Sequence, residues 1–183
     1  MNVLTIYVGG VPASGKSTLF RCVRQRLFAR SADFKEGCCR GVFAEGGKLL
    51  MLGVFDGSMF EGTDRLAMTA IDDCLSYIRK LEGEGERKVV FVEGDRLLCD
   101  RFIRATRARL ILIDAHPMVL EARQRGRRSQ GHCQSATFLK AKRTKVQGMA
   151  TRWHCPLLPN NTPADQARIL ERIVGEARRW LNG

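Results

Sequence analysis

Apolar residues follow two patterns that alternate along the chain: short runs, and positions spaced along one face of a helix. The short, largely apolar runs predict buried strands at residues 4–8, 49–55, 89–92 and 110–113. The segment after Lys16 instead places Leu19, Phe20, Val23 and Leu27 on one helical face. This alternation of strand and helix predicts an α/β fold with three α/β/α layers around a central, mostly parallel sheet.

Further helices are indicated by their start signals. Thr63 is predicted to cap a long helix whose apolar face runs to Leu81, and Pro117 starts the next helix. A basic helix is predicted over residues 137–149, and Thr162 caps the last one. Residues 37–47 are rich in glycine and are expected to form a loop or a hairpin.

Length and composition favour a single domain over residues 1–183. The apolar runs are too short to cross a membrane, so we expect a cytoplasmic protein, in the host cytoplasm if it is viral. No segment indicates an obligate protein partner. The seven cysteines include no C-x-x-C pair and are expected to be free thiols. The alternative is a zinc site formed by His132-Cys133 and His154-Cys155, although this spacing fits no common ligand pattern.

One motif lies between the first strand and the first helix. Its residues are Gly10, Val11, Pro12, Ala13, Ser14, Gly15, Lys16 and Ser17, followed by Thr18. The G-x-x-x-x-G-K-[ST] pattern in this position predicts a loop whose N–H groups hold the phosphates of ATP. Lys16 is predicted to reach the β- and γ-phosphates, and Ser17 to ligate Mg²⁺. The alternative is a glycine-rich turn with an exposed lysine.

Acidic residues follow three of the predicted strands, and Asp114 is the one after the strand at 110–113. Asp56, Glu93 and Asp95 are expected at the sheet edge that carries the phosphate loop. Asp56 is predicted to orient or deprotonate an acceptor hydroxyl, with Glu93 or Asp95 as alternatives for that role. Arg65 is predicted to bind an acceptor phosphate or to pair with Asp56. The other interpretation of Asp56 is a turn or capping residue.

Positive charge is concentrated in the C-terminal half. Residues 1–100 carry 14 Lys and Arg against 14 Asp and Glu, whereas residues 101–183 carry 17 against 5. A basic segment at about 121–150 exceeds what phosphoryl transfer needs, which points to a polyanion. Four residues in it are predicted to contact nucleic acid: Lys140, Lys142, Arg143 and Lys145. The alternative is a solvated basic face.

These motifs together resemble the nucleoside and nucleotide kinase group of P-loop proteins along nearly the whole chain. The resemblance implies that Glu93 and Asp95 lie beside Mg²⁺ and that Arg123 and Arg127 belong to a lid over the transferring phosphoryl group. It also implies that Asn160 borders the adenine ring.

Two segments are similar to bacteriophage 5-hydroxymethyluracil DNA kinases, namely residues 55–65 and 137–145. This resemblance implies transfer of the γ-phosphate of ATP to the base hydroxymethyl group in DNA, a step of thymine hypermodification that protects a viral genome from restriction. Phe60 or Phe43 would then stack on the extruded base. The alternatives are a small-molecule kinase and a slowly hydrolysing P-loop regulator.

Overall fold

The computed structural model describes residues 2–57, 61–129 and 134–183. Seven strands are formed: β1 (Val3–Gly10), β2 (Ser31–Glu36), β3 (Cys39–Ala44), β4 (Leu49–Leu52), β5 (Lys88–Glu93), β6 (Arg109–Asp114) and β7 (Leu157–Pro159). The helices are α1 (Lys16–Leu27), α2 (Ala70–Gly83), α3 (Asp100–Thr106), α4 (Pro117–Arg128), α5 (Ala136–Arg152) and α6 (Pro163–Asn182).

All seven strands form one sheet in the order β2-β3-β4-β5-β1-β6-β7. The neighbours from β4 to β7 are parallel, whereas β2 and β3 add an antiparallel hairpin at one edge. The register of β1 and β5 pairs Val8 with Glu93, which places the end of β5 beside the phosphate loop. The predicted α/β class with a mostly parallel sheet is confirmed.

Helices cover both faces of this sheet. On one face, α1 and α6 bury Leu19, Val23 and Ile173 against the sheet. On the other face, α2 and α3 contribute Ile78 and Phe102 to a second core. Helices α4 and α5 bury far less, and α5 buries only Val146 and Met149 among its residues. No helix in the described part of the chain is long and apolar enough to span a bilayer.

Two predicted elements are wrong in their bounds. The strand predicted to reach residue 55 ends at Leu52, because Gly53 adopts a φ of 139° and Val54 forms an antiparallel bridge with Gly62. Asp56 is therefore not at a strand end. Thr63 begins a single 3₁₀ turn rather than the long helix, which starts only at Ala70.

Three elements escaped the sequence prediction: β2, α3 and β7. The burial pattern of β2 shows the reason, because only Phe34 is even partly buried in this edge strand. An exposed edge strand carries almost no apolar alternation, so its periodicity gives no signal. Helix α3 has seven residues and β7 has three, which is too short for a reliable pattern.

Candidate active site

The phosphate loop connects the end of β1 to the start of α1. Gly15 has a φ of 95°, and a Cβ at this position would lie 2.5 Å from Nδ2 of Asn160. Asn160 is fully buried, and its Nδ2 donates a hydrogen bond to the Ser14 carbonyl at 2.7 Å. Glycine is therefore required on both conformational and steric grounds. Asn160, which was predicted to border the adenine ring, therefore contacts the phosphate loop through the Ser14 carbonyl.

Lys16 lies with its ammonium group inside the loop. Nζ donates to the carbonyl oxygens of Gly10 at 3.0 Å and Val11 at 3.1 Å. Burial lowers the pKa of Lys16. The negative charges of Glu93 and Asp64 raise it, but the effect of burial is larger. A cation that is held by backbone carbonyls at the start of a helix is suited to bind a phosphate chain.

Glu93 is the most deeply buried acidic group of the site. Its residue exposure is 4 %, and Ser17 Oγ donates to its Oε1 at 3.4 Å. Burial raises the pKa of Glu93 to about 7, although Lys16 and the Ser17 hydroxyl favour the charged form. The structure thus brings together the predicted Mg²⁺ ligands Ser17 and Glu93.

A hydroxyl and a carboxylate fit the way in which Mg²⁺ is held in phosphate-transferring sites. Mg²⁺ usually takes one or two protein carboxylates and completes its octahedron with waters and substrate phosphates. Within residues 2–57, 61–129 and 134–183, no three His, Cys, Asp or Glu side chains gather to hold a metal by themselves. The residues present therefore fit a metal that arrives with a nucleotide.

A cleft of about 580 Å³ opens beside the loop and is lined by part of the predicted set. The predicted residues that line it are Gly10, Pro12, Lys16, Ser17, Glu93, Asp95, Arg127, Lys142 and Lys145. Arg123 lies at the back of the loop instead, where its Nη1 donates to the Ala13 carbonyl at 3.3 Å. Of these two arginines of α4, Arg123 contacts the phosphate loop and Arg127 lines the cleft.

Asp95 has a different environment from Glu93. Lys142 forms an ion pair with its Oδ2, and Lys145 Nζ lies 2.8 Å from its Oδ1. Burial tends to raise the pKa of Asp95, but the hydrogen bonds from the two lysines hold it below its usual value. Lys142 and Lys145 therefore face the cleft.

The other two residues predicted to contact nucleic acid, Lys140 and Arg143, line a separate cavity. This cavity has a volume of about 330 Å³ and also contacts Val11 and Pro12. It is therefore close to the phosphate loop, on another side of α5 from Asp95. The four basic residues of the sequence prediction do not share one surface.

Asp56 and Arg65 form an ion pair at 2.5 Å, and both side chains are well exposed. Neither belongs to the described residues that line the cleft. Asp64, which the sequence interpretation overlooked, does line it. Its Oδ1 accepts hydrogen bonds from the backbone N–H groups of Asp95 at 2.7 Å and Arg96 at 3.0 Å.

A glycine permits this close approach of Asp64. Gly94 has a φ of 119°, and a Cβ there would lie 2.6 Å from Thr63 Oγ1 and 2.9 Å from Asp64 Oδ1. Thr63 is buried and donates to the Glu93 carbonyl. The sequence does contain a signal for this contact, namely Gly94 between Glu93 and Asp95. A glycine at a strand end indicates that another segment of the chain approaches the backbone closely.

Phe60, His132 and Cys133, which were considered from the sequence, lie outside the described residues. Phe43 and Cys155 are described and do not line the cleft. Phe43 packs from β3 against the core. The thiol of Cys155 is half-buried and donates to the Leu110 carbonyl at 3.2 Å.

No family model and no curated protein matches the chain. Among solved structures, a sugar kinase from Janibacter sp. HTCC2649 is similar, with a TM-score of 0.51 and 13% identity over 98% of this chain and 95% of that one. A gluconokinase from Sinorhizobium meliloti 1021 gives a TM-score of 0.43 and 16% identity over 94% and 97%. The chain has the α/β fold of P-loop kinases.

Proposed function

We propose that the protein is a kinase that transfers the γ-phosphoryl group of ATP, with Mg²⁺, to an alcohol. The observation that carries this proposal is the convergence of Lys16, Ser17, Glu93 and Arg127 on one cleft. Phosphoryl transfer needs positioning and compensation of negative charge rather than covalent help from the protein. A phosphate loop, a metal-binding pair and a lid arginine supply those two requirements.

In the proposed reaction, the acceptor oxygen attacks the γ-phosphorus while the bond to the bridging oxygen of ADP breaks. The hydroxyl proton passes to a carboxylate, and we assign this role to Asp64 in place of Asp56. The backbone N–H groups of Asp95 and Arg96 fix the Asp64 carboxylate at the cleft. Lys16 and Arg127 stabilise the charge that develops on the transferring group.

A small-molecule alcohol is the acceptor that the fold comparison favours. The sugar kinase from Janibacter sp. HTCC2649 has this fold across almost its whole length. The cleft volume of about 580 Å³ lies within the range of small-molecule and cofactor sites. The inward placement of Lys142 and Lys145 also removes two charges from any polymer-binding face.

A hydroxymethylated base in DNA is the second acceptor, and the mouth of the cleft favours it. Phe138 and Met68 are exposed by 42% and 77%, and both line the cleft. Arg96 also lines the cleft, and its guanidinium contacts Met68. Exposed apolar side chains beside a guanidinium suit stacking on a planar base.

The deciding experiment compares acceptors for labelled γ-phosphate. Sugars and polyols, free nucleosides, and 5-hydroxymethyluracil in single-stranded and duplex DNA are offered under identical conditions. Transfer to sugars or nucleosides supports the small-molecule acceptor, and transfer to DNA alone supports the polymer. ATP hydrolysis that no acceptor accelerates would contradict the kinase proposal and favour a slow P-loop regulator. The Lys16→Ala protein is the control for contaminating kinases.

Salt dependence gives an independent test of the DNA acceptor. Replacing exposed Lys140 together with Arg143 by Ala should reduce the logarithmic salt slope of DNA affinity by about 0.9 for each lost duplex phosphate contact. ATP hydrolysis without acceptor should not change. If the wild-type protein does not bind DNA at low salt, the polymer acceptor is excluded.

A further inference from the structure

We infer that Asp95 is a positioning residue that fastens helix α5 to the end of β5 through Lys142 and Lys145, rather than a ligand of Mg²⁺. The inference builds on the proposed kinase function, because it concerns how the cleft is assembled. It also departs from the role that the sequence resemblance implies for Asp95.

Every hydrogen-bonding atom of Asp95 is engaged. Oδ2 forms the ion pair with Lys142, and Oδ1 and the backbone carbonyl accept from Lys145 at 2.8 and 3.3 Å. The backbone N–H donates to Asp64 at 2.7 Å. Two ammonium groups already neutralise this carboxylate and occupy its oxygens, which opposes its use as a ligand of a divalent cation.

Glu93 has the opposite character. Its carboxylate is buried, and the side chain that hydrogen-bonds to it is the Ser17 hydroxyl rather than a lysine ammonium. A buried carboxylate beside a hydroxyl is stabilised by a bound cation. The two acidic residues of the same strand end are thus suited to two different tasks.

Helix α5 has few other attachments near its N-terminal end. Its buried side chains are Val146 and Met149, both in its second half. Beyond its C-terminal end, Trp153 Nε1 donates to Asp100 at 3.0 Å. Among the described residues, Asp95 is therefore the main polar attachment between the first ten residues of α5 and the sheet.

The attachment also sets the shape of the cleft. Lys142 Nζ lies 5.1 Å from the ring centre of Phe138, so the lysine that pairs with Asp95 also supports an aromatic residue at the cleft mouth. Loss of the pairing should let the first half of α5 move away. The cleft would then lose Phe138 and its two lysines together.

Hydrogen exchange of the α5 amides tests the attachment without any kinase activity. Asp95→Asn should lower protection over residues 136–146 by roughly fivefold or more, and so should Lys142→Gln with Lys145→Gln. The triple variant should show no further loss, because all three changes remove one interaction. Arg178→Gln, which removes one exposed charge from α6, is the control.

Mg²⁺-dependent binding of ADP, measured by calorimetry, separates positioning from ligation. We expect Asp95→Asn and the lysine variant to keep the wild-type Mg²⁺ half-saturation, whereas Glu93→Gln should raise it. Unchanged hydrogen exchange in the lysine variant, or a raised Mg²⁺ requirement in Asp95→Asn alone, would overturn the inference. If Asp95→Asn does not fold, the lysine variant carries both measurements. Failure to find any phosphate acceptor would affect the proposed function but not these results.

Discussion

Glu93→Gln should stabilise the protein above neutral pH while it impairs the site. Burial raises the pKa of this carboxyl from 4.5 to about 7. Between these two values the folded protein holds a proton that the unfolded chain has already released. The free energy of unfolding therefore falls as the pH rises through this interval.

The size of the effect follows from the shift. One pKa unit corresponds to about 1.4 kcal/mol, so ionised Glu93 costs about 3 kcal/mol of stability above pH 7. Glutamine has the shape of the protonated acid and cannot ionise. Relative to their difference below pH 4, where the carboxyl is protonated in both states, the variant should gain about 1 kcal/mol on the wild type at pH 5 and about 3 kcal/mol at pH 8.

Urea denaturation at intervals between pH 5 and 8.5, without nucleotide or Mg²⁺, measures this difference. Glu45→Gln makes the same chemical change at an exposed position and should give a difference close to zero throughout. A difference in unfolding free energy between Glu93→Gln and the wild type that stays constant with pH, or a variant that is the less stable protein at pH 8, would contradict this prediction.

Three further outcomes are expected. Lys16→Ala should abolish phosphoryl transfer with a near-native denaturation curve, and turnover close to wild type would remove Lys16 from the mechanism. Asp64→Asn should lower turnover by about 10²-fold with little change in ATP affinity, whereas Asp56→Asn should have a small effect on turnover. The reverse result would return the role of proton acceptor to Asp56. Gly15→Ala should destabilise the protein by about 1–3 kcal/mol and weaken ATP binding, measured by denaturation and calorimetry, and an unaffected variant would contradict the steric argument from Asn160.

The sequence predicted those parts of the site that depend on neighbours along the chain. The phosphate loop is one such part, because the strand before it, its glycines and the helix after it are contiguous. Glu93 could be placed from the end of a fully apolar strand. In both cases a local pattern determines the backbone, and the backbone determines the direction of the side chain.

The parts that escaped depend on contacts between distant segments. Asp56 was chosen because a strand was predicted to continue to it, but Gly53 ends that strand early and Asp64 reaches the cleft instead. Lys142 and Lys145 were predicted to contact nucleic acid, on the charge of their segment and on its resemblance to the DNA kinases. Their pairing with Asp95, about fifty positions away in the chain, has no trace in local sequence.

The hydrogen bond from Asn160 to Ser14 has a consequence for synthesis of the protein. It joins residues that are 146 positions apart, and β1 pairs with strands on both sides that are made much later. A growing chain can therefore form the hairpin of β2 and β3 early, but it cannot complete its phosphate loop until Asn160 has been translated. Nascent or C-terminally truncated chains would contain the whole G-x-x-x-x-G-K-[ST] motif and yet lack its support from Asn160.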